Sequence, residues 1–247
     1  MRSYLAILWQ EFVLFKRKFR SITLGAMISP VLYLIAFGWG LGGGMTVGGQ
    51  NYLQFVIPGI VALTTMMVSF STVGNAVNLS RIYDKTFEEF MVAPVTMTVY
   101  AAGKISAGAL RGFYSGVLIL LISLLFPTGL KINGFFLLIL MLNCLVFAAL
   151  GFTAGVLIDS HADMAKFTNF VITPMAFLCG TFFPLEKMPW LLKGFIGLLP
   201  LTHTSQGLRN SGGDLRMLGL NVVVLALYFV VLFVVGVRTC TKAETIG

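Results

Sequence analysis

The sequence predicts an all-α membrane protein of six transmembrane helices. An N-terminal interfacial amphipathic helix precedes them, and an outer re-entrant helical hairpin lies between the fifth and sixth spans. Three observations carry this reading. The 247 residues are 57% hydrophobic and only 11% charged, with a mean hydropathy of +0.93, whereas a soluble domain carries roughly 25% charged residues. So few polar groups cannot build a water-facing shell. The apolar residues are gathered in long runs, and about 20 helical residues cross a hydrocarbon core near 30 Å thick. Charged residues fall between those runs, with Lys and Arg concentrated on one side. Runs of this length exclude a β-barrel, and a lipid-embedded backbone must then be satisfied inside helices.

Residues 3–20 form the amphipathic candidate. Tyr4, Leu5, Leu8, Phe12, Phe15 and Phe19 recur at three and four spacing, with Gln10 and Arg17 opposite. Trp9 is a candidate interfacial anchor, and Lys16, Arg17, Lys18 and Arg20 suit the headgroup region. The alternative is a plain cytoplasmic extension of the first span. That span covers about 21–42 and ends in GWGLGGG; 43–52 is an uncharged loop and 53–77 the second span. Residues 78–102 carry Arg81, Asp84, Lys85, Glu88 and Glu89 and lie outside the hydrocarbon. The third span is 103–126, and Pro127 with Gly129 marks a turn. The fourth is 133–157, and a polar turn follows with Asp159, His161, Asp163 and Lys166. The fifth, 168–183, is short unless it extends back into that turn. The sixth is 217–237, followed by a ten-residue polar tail. Between them, 184–205 is broken by Pro184, Pro189 and Pro200, and its stretch 190–199 is too short to span. A re-entrant or interfacial hairpin fits it. No repeat or attached soluble domain is evident, so 1–247 reads as one membrane domain.

With the N-terminus inside, Arg2, Lys16, Arg17, Lys18, Arg20, Arg81, Lys85, Lys104, Arg111, Lys166, Arg238 and Lys242 are cytoplasmic. Lys131, Lys187, Lys193, Arg209 and Arg216 are outside. This is the direction of the positive-inside rule, and it puts both termini in the cytoplasm. It also explains the net charge of +8 without nucleic acid, since no basic stripe interleaves with aromatics. Cys144, Cys179 and Cys240 have no CxxC spacing, so neither a disulfide framework nor a zinc site is expected. The N-terminus does not read as a signal peptide, because Gln10, Glu11 and the basic group Lys16, Arg17, Lys18 and Arg20 interrupt its apolar stretch.

Catalytic chemistry is not expected on this chain. The GLGGG run lacks the Lys-Ser/Thr of a phosphate-binding loop, and HExxH and GxSxG are absent. His161 and His203 fall on opposite sides of the membrane. Asp159, His161 and Asp163 read as a polar turn rather than a metal cluster. Asn75, Asn78 and Asn143 are the polar candidates of the spans, and Asn143 could simply bond a neighbouring helix. Arg111, placed one to two turns into the third helix, either reaches the headgroups or pairs near a translocation path. In 78–96, Asp84 and Glu88 stand one turn apart, as do Arg81 and Lys85. A short charged helix bounded by Pro94 and joined to two spans could transmit a push from a soluble partner; the alternative is a solvated loop.

The chain resembles the membrane subunits of type-2 ABC exporters, nearest to nodulation-factor and antibiotic-resistance permeases. The resemblance rests on FVIPGIVALTTM at 55–66, FEEFMVAPVT at 87–96, Arg111–Gly112, VITPMAFLCGTFFPLEKMP at 171–189 and LPLTHTSQGLR at 199–209. It implies that about Leu79–Met91 docks into a cleft of an ATPase, with Glu88 and Glu89 in its acidic part. It implies that 3–20 is a connector near that ATPase, and that Pro174, Gly180, Phe182, Phe183, Pro184 and Pro189 belong to the fifth helix and the re-entrant element. It implies a bacterial inner-membrane homodimer bound to two ATPase subunits, which hold the ATP and Mg. The expected function is export of a lipidic, glycolipid, polysaccharide or amphipathic drug substrate. The alternatives are an intramembrane lipid-processing enzyme and a non-transport assembly factor.

Overall fold

The computed structural model describes residues 2–37, 46–47, 50–84, 86–92, 95–125, 132–185 and 189–246. The 38–44 run, Lys85, Pro94, Pro127, Gly129, Lys131 and Lys187 lie outside the described residues, as do the side chains of Glu88 and Lys242. The described chain is a helical bundle: α1 (Arg2–Arg17), α2 (Phe19–Ile35), α3 (Tyr52–Ile82), α4 (Thr86–Val92), α5 (Met97–Ser123) and α6 (Gly134–Leu157). After these come α7 (His161–Phe167), a π-helical stretch (Thr168–Ile172), α8 (Thr173–Leu178), α9 (Trp190–Gly197), α10 (Pro200–Arg209) and α11 (Leu215–Ile246). A minimal antiparallel hairpin, β1 (Thr46–Val47) and β2 (Gln50–Asn51), precedes α3. Hydropathy alone gave no sign of it.

Several boundaries differ from the sequence reading. The amphipathic helix ends at Arg17, and α2 leaves it at 77°, so Lys18 sits at the corner rather than inside a helix to residue 20. The second span runs on to Ile82. Tyr83 and Asp84 are non-helical and α4 begins at Thr86, so Leu79–Met91 is not one helix. Asp84 lies outside both helices, so its spacing with Glu88 does not place that pair on one helical face. The third helix starts at Met97, which puts Arg111 about 21 Å along it at 1.5 Å per residue, far deeper than one or two turns. The helical run expected to be the fifth span extends back through the polar turn, to His161, where Ser160 Oγ accepts from the Ala162 amide. The tail continues α11 as helix to Ile246, because 237–246 contains neither Pro nor Gly to stop it.

The described helices include four that are individually long and apolar enough to cross a membrane: α3, α5, α6 and α11 up to Thr241. The bent pair α1–α2 is a fifth candidate. Length and composition thus establish a multi-span all-α membrane protein. They do not by themselves establish six spans, since α2 has 17 residues and 161–178 is divided by its π stretch. That stretch lies just before Pro174, whose ring cannot sit in a regular helix interior without clashing with the preceding turn.

The core lies between α3, α6, α5 and α11. Lipid tails are as apolar as Leu, so association of these helices rests on close packing and polar contacts. At Gly151 of α6 an added Cβ would lie 2.5 Å from the Phe70 carbonyl oxygen of α3. At Gly59 of α3 it would strike the Thr181 backbone. Only glycine allows either approach. Asn143 of α6, fully buried, adds the polar contact: it donates to Ala62 O at 3.1 Å and Thr65 Oγ1 at 2.9 Å, and accepts from Thr204 Oγ1 of α10 at 2.8 Å. Of the two uses open to Asn143, the structure gives it the helix-bonding one.

Candidate functional site

The packing gathers the charged segments at one end of the bundle. There α1 lies against α5, with Ile7 over Gly103 and Tyr4 donating to Ser106 Oγ at 3.0 Å. This brings Glu11, only 5% exposed, between two cations of α5. Lys104 Nζ donates to Oε1 at 2.6 Å and Arg111 Nη2 to Oε2 at 2.9 Å. Arg111 also donates to the Glu11 carbonyl at 2.9 Å, and its guanidinium lies 5.6 Å from the Phe15 ring. Arg111 is therefore paired. Its partner is a residue that the sequence offered only as an interruption of an apolar stretch. Removing that carboxylate would strand two cations, a change that costs about 3–5 kcal/mol for a buried pair.

The same end holds α4. Phe87 is buried, its ring 5.8 Å from Tyr100 of α5, and Phe90 lies 4.8 Å from the same ring. Tyr100 in turn meets Phe152 of α6 at 6.0 Å. Glu89 and Asp84 are exposed. The Phe-Glu-Glu-Phe sequence thus seats two rings on the bundle and leaves Glu89 facing outward. The pair of Phe residues flanking the acids at i and i+3 was the available sign of this. Arg81, on the last turn of α3, pairs with Asp159, and Asn78 donates to the Ile158 carbonyl at 2.7 Å, so the end of α3 is tied to the connection after α6. Asp163 pairs with Lys166 at 2.7 Å and holds that ammonium above its ordinary pKa. Both carboxylates of the polar turn are thus committed to cations, and among the described residues no cluster could hold a metal ion. Trp9, Lys16, Arg17, Lys18 and Arg20 are exposed along α1 and at the corner.

The opposite end is organised by backbone. Gly180 takes φ +74°, a left-handed conformation that turns the chain after α8. Phe182 is buried and packs on Phe37 at 4.6 Å, Phe177 at 5.5 Å and Tyr33 at 5.6 Å. Its carbonyl accepts from Tyr52 Oη at 3.1 Å. Arg209 of α10 donates to the carbonyls of Phe55 at 2.9 Å, Gly180 at 2.5 Å and Thr181 at 3.0 Å, with its guanidinium 3.7 Å from the Phe55 ring. Gly180 and Phe182 are therefore brought together. Pro174 lies one turn or more before them in α8, Phe183 and Pro189 are exposed, and Pro184 is half-buried. The organising role of Arg209 was missed in the sequence, because the carbonyls of Phe55, Gly180 and Thr181 are main-chain oxygens that no residue type announces.

A family model described as ABC-2 type transporter matches residues 2–211. The inner membrane transport permease YadH of Escherichia coli (strain K12) is 30% identical over 223 residues, covering 88% of this chain and 85% of the relative. Nodulation protein J of Rhizobium leguminosarum bv. viciae is 28% identical over 241 residues, covering 95% and 92%. Nodulation protein J of Rhizobium meliloti (strain 1021) is 28% identical over 238 residues, covering 94% and 90%.

Proposed function

The chain belongs to the ABC-2 type transporter family and is a membrane permease subunit of that kind, and from that premise we propose that it exports its substrate by coupling to a separate ATPase. Two copies enclose one pore, and each binds an ATPase subunit that holds ATP and Mg. The helix α4 is the contact: Glu88 and Glu89 meet the ATPase, while Phe87 and Phe90 carry its movement to Tyr100 of α5. The observation that supports this most is α4 itself, a short helix anchored by two rings to the bundle and turning Glu89 outward. The Glu11–Lys104–Arg111 cluster keeps α1 moving with α5, so both cytoplasmic elements act on one helix.

In this reading six helices span an inner membrane, the first being α2 and the fifth beginning at about residue 168, after the polar turn. Both termini are cytoplasmic, and α9 with α10 dips into the outer leaflet and returns. At 8 and 10 residues, these helices are about 12 and 15 Å long, too short to cross. The substrate is lipidic, a glycolipid or polysaccharide, or an amphipathic drug, in keeping with the apolar walls of the bundle. Charge reversal at Glu88 and Glu89 tests the coupling. The doubly reversed chain should insert normally but lose most substrate-stimulated ATP hydrolysis in the assembled complex. Unchanged stimulated hydrolysis would sink this role for α4.

A further inference from the structure

One face of α1 takes no part in the contacts with Lys104 and Arg111. Leu5, Trp9 and Phe12 follow one another at four and three residues and are 62%, 67% and 53% exposed. With Ala107, Leu110 and Tyr114 of α5 they wall a groove of about 650 Å³, inside the roughly 300–1,000 Å³ range of ligand pockets. Leu110 is itself 54% exposed, so the groove is open on that side. The two charged side chains in the lining, Glu11 and Arg111, already pair with each other, so the groove offers an occupant an apolar surface. A second groove of about 450 Å³ shares Trp9 and Phe12 and is bordered by Lys16 and Arg17. Lys18 and Arg20 follow at the corner between α1 and α2, and no acidic residue occurs between 12 and 83.

We propose that these two grooves form one binding site for an anionic phospholipid. One acyl chain lies between α1 and α5 beside Leu110, and the phosphate is held by Lys16 and Arg17. The charge distribution selects this occupant. An uncharged amphiphile would fill the apolar groove but leave the basic rim without a counter-charge, and a free phosphate would answer the rim but leave the groove empty. Each basic residue near an anionic membrane surface is worth about five-fold in binding, and Trp9 has the amphipathic ring favoured at that level. A lipid seated there bridges α1 to α5 beside the Glu11–Arg111 pair and braces the interfacial helix. The site requires only that the chain sit in a membrane, so it stands apart from the exporter reading.

The test is native mass spectrometry of the full chain released from nanodiscs of equal phosphatidylglycerol and phosphatidylcholine. The wild-type chain should retain one phosphatidylglycerol, preferred about 10-fold or more over phosphatidylcholine, given two rim cations. Filling the groove by Leu110→Trp, or from the other wall by Leu5→Trp, should remove retention of that lipid. The pair Lys16→Gln and Arg17→Gln should leave a lipid bound but abolish the preference. Leu220→Trp on α11, at a position 58% exposed, should change neither, and thermal unfolding should report a folded chain for each variant. Equal retention of the two lipids by the wild-type chain, or undiminished retention by both groove-filling variants, would overturn the proposal. Because lipid is counted without an ATPase, loss of the exporter reading would leave this result untouched.

Discussion

The two ends of the bundle each secure a basic side chain against helices from distant parts of the sequence, and they do so by different means. At the α1–α5 end, Lys104 and Arg111 share the carboxylate of Glu11. At the other end, Arg209 is held by three main-chain carbonyls and the face of Phe55. The first arrangement depends on charge, and one substitution leaves two cations facing apolar surroundings. The second also uses shape, a guanidinium fork meeting the carbonyls of Phe55, Gly180 and Thr181. One end is thus held by opposite charges, and at the other a guanidinium gathers the carbonyls of a turn.

The largest effect should come from Glu11→Gln. Thermal unfolding in nanodiscs should show a loss of about 3–5 kcal/mol, as expected when one member of a buried ionic cluster is removed. Replacing Glu11, Lys104 and Arg111 together by Met should recover most of it, since an apolar substitute carries no desolvation penalty. A triple variant as unstable as the single one would show that shape, not charge, governs that end too.

Arg209→Lys comes next. Lysine keeps the charge but not the planar fork, and the loss of charged hydrogen bonds should cost about 1.5–3 kcal/mol. A lysine that restores full stability would erase the distinction between the two ends. Asp159→Asn should do least. Its side chain is 89% exposed, and exposed ion pairs are worth about 0–1 kcal/mol. A larger loss, read by the same unfolding measurement, would mean that the end of α3 is held mainly by Arg81 rather than by the buried Asn78.

The helices were legible in the sequence to the extent that hydropathy marks them. The α6 boundaries fall within a residue of the expected 133–157, because Asn133 caps its first turn by accepting from the Phe136 amide and apolar residues fill the rest. The break at Tyr83–Asp84 was not legible, since no Pro or Gly stands between Arg81 and Glu89 and the helix pattern runs through it. The charge cluster was half legible. Arg111 stood out as a cation in a membrane helix, but Glu11 lies 100 residues away and its pairing is a product of tertiary packing. At the other end, the CGTFFP run marked Gly180 and Phe182, whereas Arg209 acts on carbonyls that carry no sequence signal.

The account turns on α4 being the point where a soluble ATPase meets the membrane domain, and crosslinking tests that most directly. The three native cysteines are buried, so a thiol introduced by Glu89→Cys can be addressed by a short maleimide crosslinker in membranes that also contain the partner ATPase. The account predicts a covalent adduct with the ATPase whose yield changes when nucleotide is added. The same thiol placed by Leu191→Cys on α9, at the opposite end, should give none. An adduct from position 191 and none from position 89 would contradict it.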